Sequence, residues 1–86
     1  MAGLQPERTL PLLQSYVSGT LLGGKSVAPD ENLLLSGMLD SLSVMSLVAF
    51  TEDTFGLKIP FEDVIIENFE TIAAIAEYLS TRDFNA

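Results

Sequence analysis

No cysteine and no histidine occur in the 86 residues. Without cysteine there is no disulfide framework and no thiolate metal site, and a reducing compartment such as the cytoplasm suits the chain. Without histidine the commonest general base and the commonest metal ligand are both missing. The longest apolar runs, such as Leu33-Leu34-Leu35 and Val64-Ile65-Ile66, are far too short to span a bilayer. The amino end lacks a basic segment and a continuous apolar core, so no signal peptide is expected. Glycine stands third rather than second, which excludes the usual myristoylation start. Basic residues are scarce as well: four Lys and Arg face twelve Asp and Glu, for a formal charge of −8. Between Asp30 and Glu77 there are ten acids and one base, Lys58. Such a field repels nucleic acid and anionic membrane surfaces. It favours solubility, and it can steer encounters with basic patches on partner proteins. The length predicts a single domain over residues 1–86, near the lower limit of what one unstapled core stabilises, with flexible ends at about 1–5 and 82–86.

What is present is helical periodicity. A first helix is predicted from about Thr9 to Leu22, with Leu10, Leu13, Val17 and Leu21 on one face. Thr9 is its expected cap, Pro11 then falls in the first turn, and Pro6-Glu7 offers one turn more. Gly23-Gly24 ends it through a left-handed conformation. Residues 25–40 read as a long connection whose leucines, Leu33, Leu34, Leu35 and Leu39, are too apolar to lie wholly exposed, so some must pin the loop to the core. A second helix is predicted over 41–55, stopping at Gly56. A short third is predicted over 60–66 with Pro60 at its first position. The fourth is predicted over 71–80 with Ile72, Ile75, Ala76 and Leu79 inward. These faces pack naturally as an all-α four-helix bundle with one long crossing loop between its first two helices.

The most informative residues are Gly37-Met38-Leu39-Asp40-Ser41-Leu42, where the loop gives way to the second helix. Asp40 is a good N-cap, which leaves Ser41 at the exposed first turn. Free backbone N–H groups and the positive end of the helix dipole favour an anionic group there, such as a phosphate ester on the serine. Taken alone, an Asp-Ser pair is a helix cap and nothing more. Farther along, Val44, Leu47, Val48, Thr51 and Phe55 cluster within about 40° of one direction at 100° per residue and form the core face. Leu42, Met45 and Ala49 point the other way, flanked by Ser46, Glu52 and Asp53. Apolar residues at regular spacing on a solvent face form a candidate docking strip, for which the flexible thioether of Met45 is well suited.

Four segments carry a family resemblance. Asp40-Ser41-Leu42 runs without a gap into Phe55-Gly56-Leu57-Lys58-Ile59-Pro60. Ile59-Pro60-Phe61-Glu62-Asp63 follows, and then Phe69-Glu70-Thr71-Ile72 and Ala76-Glu77-Tyr78-Leu79. In order and spacing these resemble the acyl carrier and peptidyl carrier proteins over residues 31–80. The resemblance implies a four-helix bundle of acyl carrier protein type with a short third helix. It implies a phosphopantetheine arm on Ser41, with Asp40 and Leu42 completing the attachment motif, and a docking face of Leu42, Met45, Ser46, Ala49, Glu52 and Asp53. A phosphopantetheinyl transferase would install the arm from coenzyme A, with Asp40 orienting that enzyme's metal or the hydroxyl. An acyl or aminoacyl ligase would load the arm, and downstream transferases or synthases would unload it. The chain is expected to act as a monomer and not as an enzyme. Fatty-acid-synthesis carriers usually place acids near Ser43 and Ser46, where this chain has neutral serines. Ser36-Gly37-Met38-Leu39-Asp40-Ser41-Leu42 looks more like carriers of aminoacyl or specialised acyl groups, such as D-alanyl carriers. The competing expectation is a small acidic helical adaptor, never modified, that binds a partner through Leu42, Met45 and Ala49.

Overall fold

A computed structural model describes residues 5–81. It is all-α, with no strand among those residues. Helix α1 spans Pro6–Tyr16 and continues as a π-helical turn, Val17–Leu21. Helix α2 spans Ser41–Phe55, α3 Ile66–Phe69 and α4 Ile72–Thr81, with a 3-10 turn at Phe61–Asp63 before α3. The first and second helices are joined by a long loop, as the periodicity predicts. The flexible ends expected at 1–5 and 82–86 lie outside the described residues except for Gln5, which precedes α1.

Helix α1 begins one turn before the expected cap. Pro6 occupies its first turn, where a fixed φ favours the helix and the absent N–H is no loss. Thr9 therefore sits inside the helix, fully buried, and caps nothing. Its Oγ1 is a buried hydroxyl with no hydrogen-bond partner among the described residues. Pro11 is likewise interior, not in the first turn, and is tolerated on the exposed side of α1. Leu13 and Val17 are fully buried, with Leu10 and Leu21 packed half-buried beside them. Helix α1 lies along α4, which contributes Ile72, Ile75, Ala76, Tyr78 and Leu79 to the core. Tyr16 stacks on Phe50 with ring centroids 4.0 Å apart, tying the end of α1 to α2.

The predicted helix over 60–66 is not formed. Pro60 precedes the 3-10 turn with an extended ψ of 142°, and the chain then extends at Val64 and Ile65 before α3 starts at Ile66. Three β-branched residues in succession, Val64-Ile65-Ile66, resist one continuous helix. Local bonds hold the break instead: the Asp63 carbonyl accepts both the Ile65 N–H and the Asn68 side-chain amide at 2.9 Å. The Tyr78 hydroxyl donates to Asp63 Oδ2 at 2.6 Å and ties this corner to α4.

The long loop belongs to the core. Val27, Leu33 and Leu39 are buried, while Leu35 is 81% exposed. Its first half is held to α1 by the Gln14 amide, which donates to the Val27 carbonyl at 2.7 Å. Its second half is held to the α3–α4 corner through Leu33 N–H to the Glu70 carbonyl at 2.7 Å and Ala73 N–H to the Pro29 carbonyl at 2.9 Å. Ser41 is thus presented from a segment anchored on both sides.

Candidate functional site

The loop turns sharply just before the site. Gly37, at φ 80°, makes a turn that would strain any residue with a Cβ, and Leu39 N–H returns to the Leu33 carbonyl at 3.0 Å. Buried Leu39 then fixes the start of α2. Asp40 is the N-cap: its backbone is extended, and its Oδ1 accepts the Ser43 N–H at 2.8 Å. That backbone N–H, aided by the Ser43 hydroxyl, holds the Asp40 carboxyl below the ordinary carboxylate range. Ser41 is the first residue of α2 and is exposed. The hydroxyl therefore stands in solvent at the end of a helix of 15 residues, where peptide dipoles favour negative charge.

Beside Ser41 lies an apolar groove of about 480 Å³. Leu34 and Leu39 come from the loop, Val44 and Met45 from α2, and Val64, Ile65, Ile66 and Phe69 from the turn and α3. Ile65 and Ile66 remain 45% and 58% exposed, so the groove has an unsealed apolar rim. Sequence periodicity did not find it. The signal was present in Val64-Ile65-Ile66, three adjacent apolar residues that so short a helix cannot turn inward together.

The structure separates the six expected docking residues. Leu42 is 76% and Met45 47% exposed, and Ala49 and Asp53 are exposed on the same helix. Met45 also forms part of the groove wall, so it faces both the strip and the site. Ser46 is half-buried under Tyr16, whose hydroxyl reaches the Ser46 carbonyl at 3.5 Å. Glu52 is half-buried too, and its Oε2 accepts the Ile59 N–H at 2.8 Å. Its carboxylate braces the exit from α2, which ends at Gly56 in a left-handed conformation, φ 65°. Among the described residues, no cluster of acids is arranged to hold a metal ion, and no helix is long and apolar enough to cross a membrane.

A family model described as the phosphopantetheine attachment site matches residues 13–79. The chain is 29% identical over 79 residues to the meromycolate extension acyl carrier protein of Mycolicibacterium smegmatis, covering 92% of this chain and 78% of that one. It is 33% identical over 48 residues to the D-alanyl carrier proteins of Streptococcus pyogenes serotypes M5 and M1. Those matches cover 56% of this chain and 61% of theirs, less than two thirds of their length.

Proposed function

Since the chain belongs to the phosphopantetheine attachment family and carries an acyl or aminoacyl group on a covalently bound phosphopantetheine, we propose that Ser41 is the attachment residue. The observation that supports this most is the exposed Ser41 hydroxyl at the capped start of α2. The site fits the group. Ser41 is exposed, which leaves its hydroxyl open to esterification, and the helix end favours the anionic phosphodiester. Attachment would join Ser41 Oγ to the pantetheine-side phosphorus of coenzyme A, with 3′,5′-ADP as the leaving group and the serine proton passing to the transferase. The arm supplies a terminal thiol on which the cargo rides as a thioester.

The chain's own contribution is positional. Asp40 holds the first turn through Ser43, and its carboxylate, kept ionised in the neutral range by that bond, would orient a transferase's metal or the hydroxyl. We read the chain as a carrier and not a catalyst: the thioester chemistry falls to the arm and to the partner enzymes. Its partners are a phosphopantetheinyl transferase, a ligase that loads the arm, and transferases or synthases that unload it. They meet the monomeric carrier on Leu42, Met45, Ala49 and Asp53, and its net charge of −8 steers basic docking patches toward it. The cytoplasm, where coenzyme A is at hand, is the compartment in which we place it.

The groove refines the cargo. A small aminoacyl group gains little from an apolar trough, whereas an acyl chain buries about 0.8 kcal/mol per methylene laid in it. Motif likeness at 36–42 points toward carriers of aminoacyl or specialised acyl groups; of these, the groove beside Ser41 favours an acyl group with an apolar chain. Incubation with coenzyme A and a promiscuous transferase, followed by peptide mapping, tests the attachment. A mass gain confined to the peptide holding Ser41 is expected, and an unmodified chain would leave the adaptor reading standing.

A further inference from the structure

Neither Asn32 nor Glu70 lines the groove, yet together they join its two walls. Asn32 sits in the loop at the base of the turn that precedes Ser41. Its Oδ1 accepts the N–H groups of Leu34 at 3.1 Å and Leu35 at 2.7 Å. Its Nδ2 donates to Glu70 Oε1 at 3.3 Å, across 38 residues of sequence. Glu70 follows Phe69 directly, and its carbonyl takes the Leu33 N–H at 2.7 Å. One wall of the groove is Leu34 and Leu39; the other includes Phe69. Asn32 and Glu70 are therefore the polar link one residue behind each wall.

We propose that the Asn32–Glu70 pair is a latch that sets the aperture of the groove, and through it how firmly an apolar cargo is held. Both are positioning residues. The inference rests on the reading that Ser41 bears the arm and that the cargo lies in the groove. The two main-chain bonds, Leu33 to Glu70 and Ala73 to Pro29, keep the loop on the α3–α4 corner whatever the side chains do. The side-chain bond is the weaker and longer contact, so it can open without unfolding the loop. Opening would let Leu34, whose N–H hangs from Asn32, pivot about the pinned Leu33 and away from Phe69. A long acyl chain senses that movement because it touches both walls; a two-carbon group does not reach them.

Asn32→Asp is the discriminating change. It keeps the size and the Oδ1 that caps Leu34 and Leu35, removes the donor to Glu70, and sets two carboxylates against each other. Adding Glu70→Gln returns a bridge of reversed polarity, with the new amide donating to the new carboxylate. Octanoyl- and acetyl-coenzyme A, with a promiscuous transferase, would load the parent, Asn32→Asp and the double variant directly. Thioester cleavage by hydroxylamine would then be followed by intact mass. The parent is expected to shelter the octanoyl thioester relative to the acetyl one. Asn32→Asp should cleave its octanoyl thioester about five-fold faster than the parent, the factor carried by one net hydrogen bond, while the acetyl rate stays put. The double variant should regain the shelter. Shelter retained in Asn32→Asp overturns the latch and leaves the groove reading intact. Loss of shelter in the single variant without rescue in the double one also overturns it. A parent that shelters neither cargo takes down the groove reading and the latch together, and no mass gain from either donor takes down the attachment as well. Should Asn32→Asp fail to fold, Glu70→Ala carries the same test, since it leaves the main-chain bond to Leu33 untouched.

Discussion

Leu33 and Leu35 stand two residues apart in the long loop, and their truncation to alanine should differ sharply. Leu33 has no exposed surface, and its N–H and carbonyl bond to Glu70 and Leu39. Leu35 is 81% exposed. Leu33→Ala removes a fully buried side chain from a site whose backbone is tied on both sides and so cannot collapse into the cavity. The cost should fall in the range of about 3–5 kcal/mol. A domain of this size has about 4–13 kcal/mol in total, so the loss takes a large share of it. At about 4–8 °C per kcal/mol, the melting temperature should drop by more than about 10 °C. Leu35→Ala should stay within about 0.5 kcal/mol of the parent. Thermal and urea melts followed by circular dichroism measure both. Equal melting of the two variants would refute the claim that this loop is part of the core and carries Ser41 on a fixed platform.

Thr9→Val should stabilise the domain by about 1 kcal/mol in urea melts, because it replaces a buried hydroxyl that has no partner among the described residues with a methyl of the same shape. Asp40→Asn should keep the cap, since asparagine serves nearly as well there, but lose the charge and slow arm transfer in a mass-based rate assay. The same variant tests pH dependence. The folded Asp40 carboxyl lies below its unfolded value of 3.8, so its contribution to stability is present above that pH and is lost as pH falls through the lower folded value. As pH falls from neutral to strongly acidic, the parent should therefore lose this contribution while Asp40→Asn, which has no carboxyl there, does not. Met45→Glu should melt within about 0.5 kcal/mol of the parent, since its side chain is half in solvent. Loading by a cognate ligase should nevertheless fall ten-fold or more at sub-saturating carrier, because about 1.4 kcal/mol lost at the interface suffices.

Elements closed by local chemistry were legible in the sequence. Asp40 and Gly56 bracket α2, and the period inside it found Leu47, Val48 and Thr51 as core. Phe55 obeys the same period but lies in the last turn, where the bundle no longer covers it, and is only half-buried. Its truncation therefore costs less than that of a fully enclosed phenylalanine. At the start of α1 two signals competed. Proline at a first turn outweighed threonine as a cap, because turning Thr9 inward let Leu13 and Val17 reach the core. The groove and the contacts around it were not legible. Val64-Ile65-Ile66 becomes a rim only when α3 is folded against the loop, and the Asn32–Glu70 bond spans 38 residues with no periodic mark. Glu52 read as a surface acid because sequence shows its charge but not the Ile59 N–H that it accepts.

Helix α2 offers three serines near its start, at positions 41, 43 and 46, and only Ser41 combines exposure with the capped first position. Intact mass after incubation with coenzyme A and a promiscuous transferase, run in parallel on Ser41→Ala, Ser43→Ala and Ser46→Ala, tests the attachment directly. Each variant should first be shown by circular dichroism to fold as the parent does. The account predicts one phosphopantetheine on the parent, on Ser43→Ala and on Ser46→Ala, and none on Ser41→Ala. A phosphopantetheine on folded Ser41→Ala would contradict it.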